Sequence, residues 1–358
     1  MENNGSTNLT SRPSTAETSG GPPQTVTTAS KLRLVFVGPN GIRAGWRLLI
    51  YFAITAGISA ALFPLLLRLL HHHRGEHISV LTPGASIFFE GLSLFVALVA
   101  AIIMRRIENG KWDHYGLPLS RAFRSEFWIG IICGFGALST VMLCLWLAHA
   151  YTIEGLALHG GAILKFGALW AIGFLFVGLY EEFIMRGYSL YTLASGIGFW
   201  PSAVFLSFIF FVGHIHNSGE DWLGLLSVFL FGMFACFTLW KTGNLWFAVG
   251  VHAAWDWGLT FFYSAPDSGL MAEGQLFRSH FSGPWWLSGG AAGPEGSIFT
   301  IVLLLLWSVI IAVLLPRRKW IGMDERRLAA AASLQAPLID SSALSGGDEV
   351  SGSPHPLA

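Results

Sequence analysis

The sequence predicts an all-α fold, a polytopic membrane helix bundle of about eight transmembrane helices, and three observations carry that expectation. Hydrophobic residues make up 53% of the 358-residue chain and charged residues only 12%. An ordinary soluble domain carries about 25% charged residues, so this chain has too little charge to clothe a soluble surface. The 15 Trp and 28 Phe suit a chain with two membrane–water interfaces, where Trp is favoured. Apolar stretches of the roughly 20 residues needed to cross a bilayer begin near Trp46, Ile87, Phe127, Ala162, Trp200, Trp222, Asn244 and Ser297. The formal net charge is zero, with 21 basic against 21 acidic residues, so no basic face is available to nucleic acid.

Residues 1–30, rich in Ser, Thr, Gly, Asn and Pro, read as a disordered cytoplasmic tail without the apolar stretch of a signal peptide. Residues 31–321 form the membrane-embedded domain, and residues 322–358 a second disordered cytoplasmic tail. The fourth span runs long, to Leu193, and the fifth, Pro201 to Asn217, is short. Basic residues gather before span one (Lys31, Arg33, Arg43, Arg47), between spans two and three (Arg105, Arg106, Lys111, Arg121, Arg124) and after span eight (Arg317, Arg318, Lys319, Arg326, Arg327). The loop between spans five and six holds Glu220 and Asp221 and no Lys or Arg. By the positive-inside rule both termini are cytoplasmic, in a multi-pass protein of the cell membrane. Between spans two and three, Trp112 to Phe127 fits a short interfacial helix or an ordinary loop. The run His71-His72-His73 with His77 reads as a solvated loop, with loose metal binding as its alternative. Cys133, Cys144 and Cys236 lie in apolar runs without CxxC spacing and read as small buried hydrophobes.

Ionisable groups at membrane depth cost at least about 2.5–3.5 kcal/mol each near a helix centre, so their positions are informative. Glu90 and His149 lie near the outer ends of spans two and three. The others, Glu181, Glu182, Arg186, His214, His216, His252 and Asp256, fall on spans four, five and seven and mark a site.

Three patterns make up that site. Glu181-Glu182-xxx-Arg186 places Glu182 and Arg186 on one helical face, where they can neutralise each other. Glu181 points about 100° away, and a carboxylate without a local partner suits a general base or acid near neutrality; the bland alternative is a buried ion pair with a spectator acid. Phe210-xxx-His214 sets an aromatic ring beside an imidazole, while His216, nearer the outer end, reads as an interfacial histidine. His252-xxx-Asp256 puts His and Asp on one face, where Asp256 can accept from the ring N–H and fix its tautomer, or both can serve a common centre. At about 1.5 Å rise per residue, Glu181, His214 and His252 lie about 18, 21 and 12 Å from the cytoplasmic ends of their spans, in one band around the bilayer centre.

The three patterns, in this order on successive spans, resemble the CPBP family, which groups the CAAX prenyl proteases of the Ras-converting type with Abi-type and bacteriocin-immunity proteins. The resemblance covers about residues 162–263. It implies that Glu181 is the glutamate that activates water, with His214 as its partner, and that His252 and position 256 stabilise the oxyanion. In family members with Asn at that last position the motif reads HxxxN; here it is Asp256, which when ionised cannot donate a hydrogen bond, so it is either protonated in its apolar site or, the preferred reading, orients His252 instead. Glu182, Arg186 and Phe210 are then supporting residues.

The function expected is hydrolysis of a peptide bond in a membrane-anchored protein or peptide, CAAX-like or other, in a cavity reachable from cytoplasm and lipid. Glutamate catalysis requires no cofactor. Zn²⁺ or another divalent metal on Glu181, His214 and His252 is the alternative, although no HExxH is present. Ser189 and Ser207 read as helix-packing residues. The non-enzymatic alternatives are an immunity or interaction protein and, with no symmetry of two halves, a transporter.

Overall fold

The computed structural model describes residues 35–38, 41–69, 81–108, 115–217 and 219–318. Both tails, the His71–His73 and His77 loop, Trp112, and the basic residues Lys31, Arg33, Lys111, Lys319, Arg326 and Arg327 lie outside them.

The first three expected spans form helices α1 (Ala44–Leu69), α2 (Pro83–Glu108) and α3 (Ser125–Leu147). The fourth is α4 (Gly161–Glu182), which passes through a π-helical turn at Phe183–Ser189 into α5 (Leu190–Ile197). Then follow α6 (Phe199–His214), α7 (Trp222–Thr242), α8 (Trp246–Trp257) with a second π turn at Gly258–Phe262, the short α9 (Trp285–Ser288) and α10 (Ile298–Leu314). Among the described residues, five stretches are long and apolar enough to cross a membrane: Ala44–Pro64, Pro83–Glu108, Ser125–Leu147, Gly161–Ile197 and Trp222–Thr242. The α6 and α10 helices, of 16 and 17 residues, and α8, of 12, fall short of that length.

The all-α expectation needs one correction. Strands β3 (Tyr151–Leu156) and β4 (Phe277–Phe281) pair antiparallel, Tyr151 opposite Phe281, and a two-residue pair, β1 (Val37–Gly38) and β2 (Gly41–Ile42), precedes α1. β3 alternates apolar and polar side chains from Tyr151 to Glu154, the period of a half-buried strand, whereas β4 sets Arg278, Ser279 and His280 between two Phe. Each is too short to stand out beside the apolar runs next to it. Between α2 and α3, where a helix or a loop was expected, residues 115–124 form a connection with a 3₁₀ turn at Leu119–Arg121.

Close helix contacts position the site. A Cβ added at Gly130 or Gly134 of α3 would lie 2.3 Å from the carbonyl oxygen of Phe247 or Val251, so only glycine lets α3 touch the α8 backbone there. At Gly178, a Cβ would meet the Val249 oxygen at 3.2 Å and the Ala253 nitrogen at 3.3 Å. The α4 and α8 backbones therefore meet one turn before Glu181 and Glu182, directly beside His252. The two ends of the bundle are tied separately. At the arginine-rich end Arg318 Nη1 reaches Glu126 at 2.7 Å and Arg47 reaches Glu108 at 2.5 Å. At the opposite end the β3–β4 sheet and the 263–296 connection fold over the helices, with Trp170 Nε1 donating to the Glu273 carbonyl at 2.9 Å and Tyr151 Oη to that of Tyr263 at 2.8 Å.

Candidate active site

The two adjacent glutamates separate as the helix angle predicts. Glu182 is fully buried, and its Oε1 accepts from Arg186 Nη1 at 3.4 Å, the i, i+4 pair expected. The Arg186 guanidinium is held on its other side by the Phe210 ring, 4.6 Å away, a cation–π contact across helices. Space for it comes from Gly232 of α7, where a Cβ would lie 2.9 Å from both Arg186 Nη2 and Ser207 Oγ. Glu181 faces the other way and keeps 26% of its side chain exposed to a cavity of about 470 Å³. The π turn that begins at Phe183 is absent from the sequence reading. Gly187, with φ −80° and ψ −107°, is its one signal, and such bulges recur at functional sites.

His252 sits at the meeting point of the carboxylates. Its Nδ1 is 3.0 Å from Glu182 Oε1, and its Nε2 is 3.7 Å from Glu181 Oε2 and 3.5 Å from Asp256 Oδ2. A carboxylate in a salt bridge can only accept, so Nδ1 carries a proton and Nε2 is presented to the cavity. Glu182 is thus the partner at Nδ1, and Asp256 stands near the opposite nitrogen. The edge of the ring is packed by Phe231, 5.1 Å between centroids.

The Phe210–His214 pair is formed, with ring centroids 4.5 Å apart. His214 Nδ1 is 2.8 Å from the Phe210 carbonyl oxygen, which again fixes the proton on Nδ1 and leaves Nε2 free to act. His214, Glu181, His252 and Asp256 all line the one cavity, so spans four, five and seven do converge. His216 is exposed and outside it. Ser189 donates to the Ile184 carbonyl at 2.5 Å, a packing role, and all three cysteines are free, Cys236 alone fully buried.

Glu181, His214 and His252, the three expected metal donors, do not form a group among the described residues whose ligand atoms lie within 4.8 Å of one another; Asp256, Asp267 and Glu295 do. Asp267 and Glu295 also line the cavity and were not anticipated, and Glu90 of α2 joins them in its wall. Glu295 is held by donors, Trp255 Nε1 at 3.2 Å and the Ser268 backbone N–H at 3.1 Å, and Asp267 accepts from Thr260 Oγ1 at 2.8 Å. Burial, with Glu295 adding to it, raises the Asp267 carboxyl well above the usual carboxylate range. In sequence these two acids are isolated charges in a connection, indistinguishable from solvated loop residues.

No curated protein matches the chain. Residues 163–258, which contain all three patterns from Glu181 to Asp256, match the family model described as type II CAAX prenyl endopeptidase Rce1-like, and over that stretch the chain is similar to the family that its motifs resemble.

Proposed function

We propose that the chain is a multi-pass intramembrane endopeptidase, with eight passes and its arginine-rich end in the cytoplasm, that cleaves a membrane-anchored polypeptide. The observation that carries the reading is the placement of Glu181: a carboxylate facing a cavity of about 470 Å³, with His214 and His252 in the same wall. The family match over residues 163–258 supports a protease.

In this reading Glu181 removes a proton from a water in the cavity as the water oxygen attacks the scissile carbonyl. His214, its Nδ1 proton committed to the Phe210 carbonyl, accepts from that water through Nε2 and aligns it. His252, held through Nδ1 by Glu182, acts as an imidazolium whose Nε2–H meets the developing oxyanion. Asp256, 3.5 Å from that nitrogen, balances its charge. As the tetrahedral intermediate collapses, the proton held by Glu181 passes to the departing amine, and the carbonyl carbon leaves as a carboxylate. The burial of Arg186 beneath Glu182 keeps the glutamate that positions His252 anionic without exposing a cation to the substrate.

The test is a comparison of membrane-protein termini in cells that carry the native chain or Glu181→Gln at equal expression. New termini that require Glu181 are expected. If none differs while the variant still performs the native role, the chain acts by binding and not by hydrolysis. Glutamate catalysis needs no metal, so treatment of the purified protein with a chelator is expected to leave its rate unchanged. A loss restored by Zn²⁺ would favour the alternative centre on Glu181, His214 and His252.

A further inference from the structure

Hydrolysis of a peptide bond moves two protons, and the residues assigned above account for one of them. The first proton of the attacking water passes to Glu181 and on to the departing amine. The second stays on the hydroxyl of the tetrahedral intermediate and has to leave before the product departs as a carboxylate. The amine, for its part, takes a further proton to become an ammonium ion. A group that gives one proton and recovers the other would close this cycle inside the cavity.

Most of the carboxyls in the wall are already engaged. Asp256 stands 3.5 Å from His252 and balances its charge, Thr260 Oγ1 donates to Asp267, and Trp255 Nε1 and the Ser268 N–H hold Glu295. Glu90 differs. It lines the same cavity as Glu181 and is close enough to feel the charges of Glu181 and His252, yet among the described residues no hydrogen bond or ion pair reaches its carboxyl.

Two helix contacts fix where Glu90 stands. A Cβ added at Gly173 of α4 would lie 3.2 Å from Ser86 Oγ, and one added at Gly91 of α2 would lie 3.7 Å from the Phe176 ring. The α2 and α4 helices thus run side by side in one direction, and their contacts bracket Glu90. Counted from these two contacts at about 1.5 Å per residue, Glu90 lies about 6–9 Å nearer the sheet end than Glu181. That offset accommodates a water at Glu181 and, beyond the carbon that the water attacks, the scissile nitrogen within hydrogen-bond reach of Glu90. Two carboxyls that face one space share a proton, since ionising both sets like charges side by side. Glu181, as the base, is the ionised member, which leaves the proton with Glu90.

We propose that Glu90 is a second catalytic carboxyl: its O–H donates to the scissile nitrogen as that atom becomes pyramidal, and it later recovers a proton from the nascent carboxylic acid. The nitrogen gains the Glu181 proton and the Glu90 proton as the carbon–nitrogen bond breaks, and leaves as an ammonium ion. The acid gives its hydroxyl proton to Glu90 and leaves as a carboxylate. Glu181 is then ionised and Glu90 protonated, as at the start. The proposal rests on the proteolytic reading and adds a residue to its site.

The experiment uses the full chain in vesicles with two farnesylated peptides ending in Cys-Val-Leu-Ser, the substrate type named for the matched family. One has an amide after the modified Cys and the other an ester, and both are present in one mixture. An alcohol leaves with a single proton, which Glu181 supplies, and takes no second. Glu90→Gln is therefore expected to lower the ratio of amide to ester cleavage by about tenfold or more. One enzyme cuts both peptides in the same mixture, so a loss of folded protein does not move that ratio. Where Glu90→Gln does not fold at all, Glu90→Asp carries the same comparison. Glu181→Gln is expected to abolish both cleavages. An unchanged ratio, whether both rates fall together or neither falls, overturns the role of Glu90 and leaves the protease reading intact. Absence of Glu181-dependent cleavage of either peptide overturns both.

Discussion

Beneath the cavity, Glu182 is fully buried and shares one oxygen between Arg186 at 3.4 Å and His252 at 3.0 Å, whereas Glu181, one residue earlier on the same helix, remains 26% exposed and stands 3.7 Å from His252. The two side chains have the same chemistry, and the 100° turn between successive helical residues gives them different work. Glu182 belongs to a charge-balanced layer that fixes an imidazole. Glu181 belongs to a wall with an excess of carboxylates and space for water. The difference teaches that an apolar bundle can carry a reactive acid when its neutralising cation is spent one layer below, on a different acid.

The sharpest test of that division is the conservative change at each glutamate. Glu181→Gln is expected to reduce hydrolysis by about 10²–10⁴-fold, the range for removing a general base, with no change in thermal unfolding in detergent. Glu182→Ala leaves Arg186 buried without its partner and is expected to destabilise by about 3–5 kcal/mol, read from denaturant unfolding. The double change Glu182→Leu with Arg186→Met removes both charges and is expected to recover most of that stability but not activity, since His252 then loses the acceptor at its Nδ1. Should Glu181→Gln unfold the protein as severely as Glu182→Ala, the assignment of one residue to structure and the other to chemistry would fall.

A smaller effect probes the layer from the other side. Gly232→Ala introduces a Cβ 2.9 Å from Arg186 Nη2 and Ser207 Oγ, both in a packed interior. Overpacking of this kind costs about 1–3 kcal/mol. The loss is expected in stability first and in activity only through the position of Glu182. A rise in KM without loss of stability would mean that the change acts through the part of α7 that lines the cavity, Ser227, Val228 and Phe231, and not through the ion pair.

How much of this could be read from the sequence follows the same physical division. The long membrane helices were legible because composition over about 20 residues suffices to announce a span. The Glu182–Arg186, Phe210–His214 and His252–Asp256 contacts were legible because helical spacing alone puts those residues on one face. The Glu182–His252 bond was not, because it joins α4 to α8 through a backbone approach that depends on Gly178, and no local spacing encodes a crossing between helices. Strands β3 and β4 escaped because β3 alternates over only four residues and β4 not at all, too weak a signal beside neighbouring apolar runs. Asp267 and Glu295 escaped for a third reason. Their place in the cavity wall comes from a connection that folds back over the helices, where the Trp255 indole and the Ser268 N–H hold Glu295.

The mildest prediction concerns an acid at the sheet end of the bundle, away from the balanced layer. Glu220, in the connection between α6 and α7, has both carboxylate oxygens buried and without a hydrogen-bond partner among the described residues. Burial first, and then the nearby Glu295 and Asp221, push its pKa up from an ordinary value of 4.5 to about 7. The folded chain therefore holds this proton more tightly than the unfolded chain does. Between those two values the native state binds more protons, so stability falls as pH rises from about 4.5 to about 7 and is level beyond that window. Glu220→Gln is neutral throughout and is expected to flatten the decline, with no difference from the native chain near pH 4 and a higher unfolding midpoint at pH 8. Unfolding midpoints of the two chains in detergent across that range measure the effect. Parallel curves would place Glu220 with the solvated charges of the surface, and a widening gap above pH 5 would place it with the buried carboxyls that the folded chain holds protonated.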